Sequence, residues 1–179
     1  LDPMLPTLLV TGGSLGAKSI NDTVIQSLEQ LNAAGIQVLH IVGDKADLEE
    51  ITRPGYRRMG YCQVMDVAIA ASNFAVSRAG SSTVSEFTAT GLPALYVPYP
   101  VGNGEQRLNA LTVVEAGGGL LVADRDFTPE FVQSSLIPVI SHANGLKTMS
   151  KNAKSLGIVD ATERLGALVL TALDTNTRD

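Results

Sequence analysis

The chain has one cysteine, Cys62. That excludes an internal disulfide and any zinc centre built on several thiolates of this chain. It fits a reducing compartment, most simply the cytoplasm. No apolar run approaches the ~20 residues of a bilayer-spanning helix. The opening LDPMLPTLLVTGG has no basic n-region, so no secretory signal is expected. Thirteen Lys and Arg are scattered through a chain of net charge −5. They form no basic stripe to follow a nucleic-acid backbone, so no nucleic-acid partner is expected. Any phosphate ligand must then be held by local devices such as helix N-termini. Repeats, low-complexity tracts and long linkers are missing too. The chain begins with Leu1 rather than Met, which points to a piece of a longer protein or a processed chain.

What is present reads as one globular domain: 179 residues, 45% of them apolar and 17% charged. Residues 1–173 form that domain, and DTNTRD, 174–179, reads as a frayed tail. Apolar strands alternate with helical periodicity. Thr7–Thr11 is a short apolar run that ends in glycines; Ile20, Val24, Leu28 and Leu31 follow at helical spacing until Gly35. Ile36–Gly43 is almost continuously apolar, as a strand buried on both faces should be. A short strand in YRRMGY, a helix over 64–71, a strand at Asn73–Ser77 and a helix to about Thr90 come next. Then follow strand Pro93–Pro98, a helix from Glu105 to Ala116 and strand Gly119–Ala123. Thr128-Pro129 starts a further helix, which Pro138 should bend or end, and Asp160–Glu163 resembles a capping box opening the last. This order predicts an α/β fold, a Rossmann-like doubly wound parallel sheet covered on both faces. Ligands of such sheets bind beyond the carboxyl ends of the strands.

Three stretches fall at those ends. TGGSLGAKSIN, Thr11–Asn21, is a glycine-rich turn into a helix. It can cradle a diphosphate or a sugar hydroxyl, with Ser14 as an added donor, or simply be a tight connection. Its spacing is neither the dinucleotide fingerprint nor a P-loop. SRAGSSTVSE, Ser77–Glu86, places Ser81, Ser82 and Thr83 at a helix start and Glu86 one turn inside. Amides and hydroxyls there suit an anion, and a carboxylate suits a ribose diol. Equally, Thr83-x-x-Glu86 fits a capping box with no ligand at all. EQRLNA sets Glu105, Gln106 and Asn109 around a first helical turn, suited to a sugar or to solvent. Asp124-x-Asp126 reads as a loop before the Thr128 cap rather than a metal site, and no metal or cofactor is expected. His40 and His142 have no nucleophile partner in the pattern and read as structural.

TGGSLGAKSIN, SRAGSSTVSE, TGLPALYVPYP and EQRLNA occur in this order across roughly Thr7 to Leu173. Together they resemble the C-terminal half of the MurG family of UDP-N-acetylglucosamine:lipid I N-acetylglucosaminyltransferases, which have the two-domain GT-B architecture. The resemblance implies an inverting transfer of N-acetylglucosamine from the UDP sugar to the C4 hydroxyl of the muramoyl sugar of lipid I. It implies that Ser14 and Asn21 belong to the donor site and that the loop at Cys62, with Met65, meets the uracil. It places the diphosphate on Ser81, Ser82 and Thr83, the ribose on Glu86, and the sugar on Glu105, Gln106 and Asn109. The family commonly has two glutamines where this chain has Glu105-Gln106. The acceptor site, the general base and a membrane-facing patch are expected in an N-terminal domain outside these residues. The full-length protein would then sit peripherally on the cytoplasmic face of the membrane. Two readings stay open beside this one: another GT-B enzyme such as a UDP-sugar epimerase, or a non-catalytic nucleotide-sugar-binding module.

Overall fold

The structure is a computed structural model that describes residues 1–13, 15–44 and 53–176, with side chains through Leu173. Among the described residues, six strands form one parallel sheet in the order β3-β2-β1-β4-β5-β6. They are β1 Thr7–Thr11, β2 Gln37–Ile41, β3 Tyr56–Met59, β4 Phe74–Ser77, β5 Ala94–Tyr96 and β6 Gly119–Leu121. Helices α1 Lys18–Gln26 and α2 Leu28–Ala33 follow β1, α3 Met65–Ala70 follows β3, α4 Ser81–Thr90 follows β4 and α5 Glu105–Glu115 follows β5. The chain ends with α6 Pro129–Phe131, α7 Ile137–Ser141, α8 Ala143–Lys154 and α9 Ala161–Asn176.

Side chains of one strand alternate between two cores, because a pleated strand has a period of two. Leu8, Val10, Phe74, Val76 and Leu95 pack on one face with Ile20, Val24, Leu28 and Leu31. Leu9, Ala75, Ala94 and Tyr96 pack on the other with Phe87, Ala110 and Val113. The four inner strands are short and buried at every position, which is why they read as apolar runs rather than alternating ones, while edge strands β3 and β6 are buried only at their first residue.

One local expectation changes, and two others gain detail. The apolar series from Ile20 to Leu31 is two helices, not one. Buried Ser27 separates them, and its hydroxyl donates to the Thr23 carbonyl at 2.8 Å, a back-bond that bends the chain. Pro138 does not end its helix. The backbone widens into a π turn at Val132–Leu136, which accommodates a proline that lacks an amide, and continues as α7. The last helix runs through Asn176. Asp160 at its start pairs with Arg164 one turn on, at 2.9 Å. Along α9, Leu165, Leu168, Val169, Leu170 and Leu173 are all exposed. Among the described residues, no helix is long and apolar enough to cross a membrane.

Candidate functional site

Strand order reverses between β1 and β4, so the chain leaves Thr11 and Ser77 toward opposite sides of the sheet. A crevice opens there, as it must in a doubly wound sheet. It holds a cavity of about 540 Å³ walled by the glycine turn, Ser19, Arg78, Tyr99, Gln106 and Asp124. A second, of about 380 Å³, is lined by Gly80, Ser81, Ser82, Thr83, Glu105 and Asn109. Gly80 and Thr83 border both, so the two form one cleft. A larger hollow of about 1090 Å³ lies at the amino ends of the strands, between Pro3–Pro6 and α8. The N-termini of α1, α4 and α5 border the cleft, and that of α8 borders the hollow.

The start of α4 excludes the capping-box reading of Thr83 and Glu86. The N-cap is Gly80, with extended backbone and no capping side chain. The first intrahelical bond runs from the Val84 amide to the Gly80 carbonyl at 3.0 Å. The amides of Ser81, Ser82 and Thr83 therefore precede the helical ladder, and these three residues line the cleft cavity. Thr83 is the third helical residue rather than the cap, so Thr83 and Glu86 form no capping box. Glu86 stands exposed on the second turn.

Two residues expected on a sugar also brace the backbone. Gln106 Oε1 accepts from the Tyr99 amide at 2.9 Å and from the Ala79 amide at 3.3 Å. Asn109 Nδ2 donates to the Ala79 carbonyl at 3.0 Å. Glu105, the first residue of α5, is exposed in the cleft, and its amide donates to Asn103 Oδ1 at 3.2 Å.

Ser14 lies outside the described residues. Around it, the glycine turn presses against the end of β2. Gly16 has φ +78°, and a Cβ there would stand 2.1 Å from the Val42 carbonyl oxygen. The close approach that Gly16 permits is thus to backbone. Asn21, expected to face the donor, instead points inward and is only 8% exposed. Its Nδ2 donates to the Val42 carbonyl at 2.9 Å, and its Oδ1 lies 3.0 Å from His40 Nε2. His40 Nδ1 lies 3.0 Å from the Tyr56 hydroxyl. One arrangement satisfies every group: Tyr56 O–H to Nδ1, Nε2–H to Asn21, and Asn21 N–H to Val42. Burial, with the Arg58 charge second, pushes the His40 pKa from 6.5 down to about 3. The imidazole is therefore a neutral strut. Asn21 supports the glycine turn from behind, a role its polar type did not disclose.

Cys62 and Met65 stand half-buried at the carboxyl end of edge strand β3 and pack against the second core. Neither lines the two cleft cavities. Ser19, Arg78 and Asp124 were not singled out as site residues by the sequence, yet they meet in the cleft wall. Arg78 donates to Asp124 and Ser19, and Ser19 donates to Asp124 Oδ1 at 2.8 Å. Asp124 lies 105 residues from Ser19, so no local pattern could have paired them. Asp124 thus has a guanidinium partner, and among the described residues no three His, Cys, Asp or Glu are grouped so that they could hold a metal ion.

The model of the glycosyltransferase family 28 C-terminal domain matches residues 7–165. The chain belongs to glycosyltransferase family 28. It is 50% identical over 168 residues to a protein of Leifsonia xyli subsp. xyli, covering 94% of this chain and 47% of that protein. It is 51% identical over 176 residues to one of Clavibacter sepedonicus, covering 97% and 47%. Both relatives are named UDP-N-acetylglucosamine–N-acetylmuramyl-(pentapeptide) pyrophosphoryl-undecaprenol N-acetylglucosamine transferase. The chain spans about half the length of the curated relatives it matches. Among solved structures it resembles Acinetobacter baumannii MurG, with TM-score 0.82 and 23% identity over 96% of this chain and 51% of that one. It also resembles the calicheamicin glycosyltransferase CalG4, with TM-score 0.70 and 16% identity over 96% and 45%. The family 28 domain is thus the Rossmann-like half of a GT-B glycosyltransferase fold.

Proposed function

We propose that this family 28 domain binds UDP-N-acetylglucosamine and forms the donor half of an inverting transferase. The full enzyme passes N-acetylglucosamine to the C4 hydroxyl of the muramoyl sugar of lipid I, and makes lipid II for peptidoglycan. The observation that carries this reading is the uncapped start of α4 at the strand-order reversal, where three backbone amides and three hydroxyls border a cleft. The names of the relatives support the substrate.

In the transfer, the acceptor oxygen forms a bond to the anomeric carbon while the bond to the diphosphate breaks. Negative charge builds on the departing UDP. Fixed amides at a helix N-terminus meet that charge without reorganising, each such donor typically being worth ~3 kcal/mol in a transition state. Ser81, Ser82 and Thr83 hold the diphosphate and Glu86 accepts from the ribose hydroxyls. The loop at Cys62 and Met65 meets the uracil. Glu105, Gln106 and Asn109 orient the sugar, the last two with the amide groups not spent on Ala79 and Tyr99. Ser14 lies in the glycine turn on the donor side. The general base, the acceptor site and the membrane contact belong to the N-terminal half of the full enzyme. That enzyme works peripherally on the cytoplasmic face, where UDP sugars are available.

Titration calorimetry tests the donor reading: UDP-N-acetylglucosamine and UDP give heat and NAD gives none. Heat from NAD with none from either uridine nucleotide overturns it. Joined to the N-terminal half, the domain transfers labelled N-acetylglucosamine to lipid I. Donor binding without transfer in that fusion favours a non-catalytic binding module.

A further inference from the structure

The three-residue link from β4 to α4, Arg78–Gly80, is gripped from two sides. On one side α5 holds Ala79 by both its amide and its carbonyl, through Gln106 and Asn109. On the other, Arg78 reaches across the cleft floor. Its Nη1 donates to the carbonyls of Val97 at 3.0 Å and Pro98 at 3.1 Å and to the Asp124 carboxylate. Its Nη2 donates to Ser19 Oγ at 3.0 Å, and its guanidinium carbon lies 5.6 Å from the centre of the Tyr99 ring. The Arg78 and Asp124 side chains are only 12% and 17% exposed.

One planar cation thus ties together the loops after β4, β5 and β6 and the first turn of α1. Nη1 serves three of these acceptors and Nη2 the fourth, Ser19; a lysine ammonium is a single point charge, so it cannot reach Ser19 and the other three together or stack on Tyr99 as the planar guanidinium does. The charge of Arg78 is answered by Asp124, so this cation is engaged within the protein rather than offered to a phosphate. Gly80, two residues on, is the N-cap whose backbone angles set the direction of the first α4 amides.

We infer that Arg78, held by Asp124 and Ser19, is a positioning residue: it aims the α4 amides at a diphosphate and fixes the 97–99 loop against them. The inference rests on the donor reading above and adds that Asp124 serves the diphosphate through Arg78, not by holding a metal. A general structural role for these residues would weaken binding of every ligand alike. A role in aiming the α4 amides weakens only ligands that carry the diphosphate.

The test uses the domain with Arg78→Lys, Asp124→Asn and the milder Ser19→Ala, titrated with UDP and with uridine and followed by amide shifts. UDP affinity falls about tenfold or more for Arg78→Lys and Asp124→Asn, and by less for Ser19→Ala, equivalent to at least ~1.4 kcal/mol for the first two. Uridine affinity stays within about twofold. Hydrogen exchange without ligand supplies an independent arm: in the variants it quickens at 79–83 and 97–99 but not in β2 or β3. Unchanged UDP affinity, or equal losses for UDP and uridine, overturns the inference. If the unaltered domain binds no UDP, the donor reading fails, and the exchange pattern alone decides whether Arg78 orders the α4 start. Unchanged exchange at 79–83 then overturns the positioning role as well.

Discussion

Lowering the pH from 7.5 to 5 should destabilise this domain through one residue. His40 is fully buried between Tyr56 and Asn21, and its pKa is about 3 in the fold against 6.5 in its ordinary state. Between those values the unfolded chain takes up a proton that the folded chain refuses. Stability is therefore complete at neutral pH and is lost as pH falls below about 6.5. At pH 5 the loss from this site is about 2 kcal/mol, rising by up to ~1.4 kcal/mol for each further unit until the folded pKa is reached. That is a substantial part of the ~5–15 kcal/mol that stabilises a typical domain. Urea unfolding at pH 7.5, 6 and 5 measures it, read as the shift of the midpoint at constant slope. The chain has only two histidines, and the other, His142, is exposed at the start of α8. His40→Gln should be less stable at pH 7.5 but nearly flat from 7.5 to 5. If the unaltered domain keeps its stability to within a few tenths of a kcal/mol over that range, the buried-strut account is wrong. Equal pH dependence in His40→Gln would refute it as well.

Other substitutions report on other links. Glu86→Gln should leave unfolding stability within ~0.5 kcal/mol, because no capping box exists to lose, while weakening UDP about tenfold. A fall in stability without a fall in affinity would contradict this. Gly16→Ala should cost at least ~2 kcal/mol, since its Cβ has no room and its backbone is left-handed; thermal unfolding shows it. Thr128 caps α6 by accepting from the Phe131 amide at 3.3 Å, so Thr128→Ala should cost about 1 kcal/mol in urea unfolding with UDP affinity unchanged.

The sheet was legible because parallel strands with two covered faces leave an unmistakable pattern. Leu8 to Val10 and Phe74 to Val76 are apolar at every position, and glycines follow where the backbone must turn. The break in the apolar series from Ile20 to Leu31 was not legible, because Ser27 acts through the competition between its hydroxyl and the helical ladder. Periodicity counts apolar residues and does not register that competition. The Thr83-Glu86 pattern matched a capping box, but the end of β4 sets the helix start at Ser81, so the pattern falls out of phase. Asn21 carried a usable signal, since it lies at helical spacing from Val24, which is buried. Its partner His40 and the Ser19–Arg78–Asp124 cluster carried none, because each joins segments that only the parallel topology brings together.

The central claim is that the bare amides of α4 receive the diphosphate of a uridine nucleotide. A crystal structure of the domain with UDP tests it most directly. The account predicts phosphate oxygens within hydrogen-bond reach, about 2.7–3.2 Å, of the amides of Ser81, Ser82 or Thr83, with the ribose beside Glu86. A nucleotide seated in the hollow at the amino ends of the strands, or with its phosphates away from α4, would contradict it.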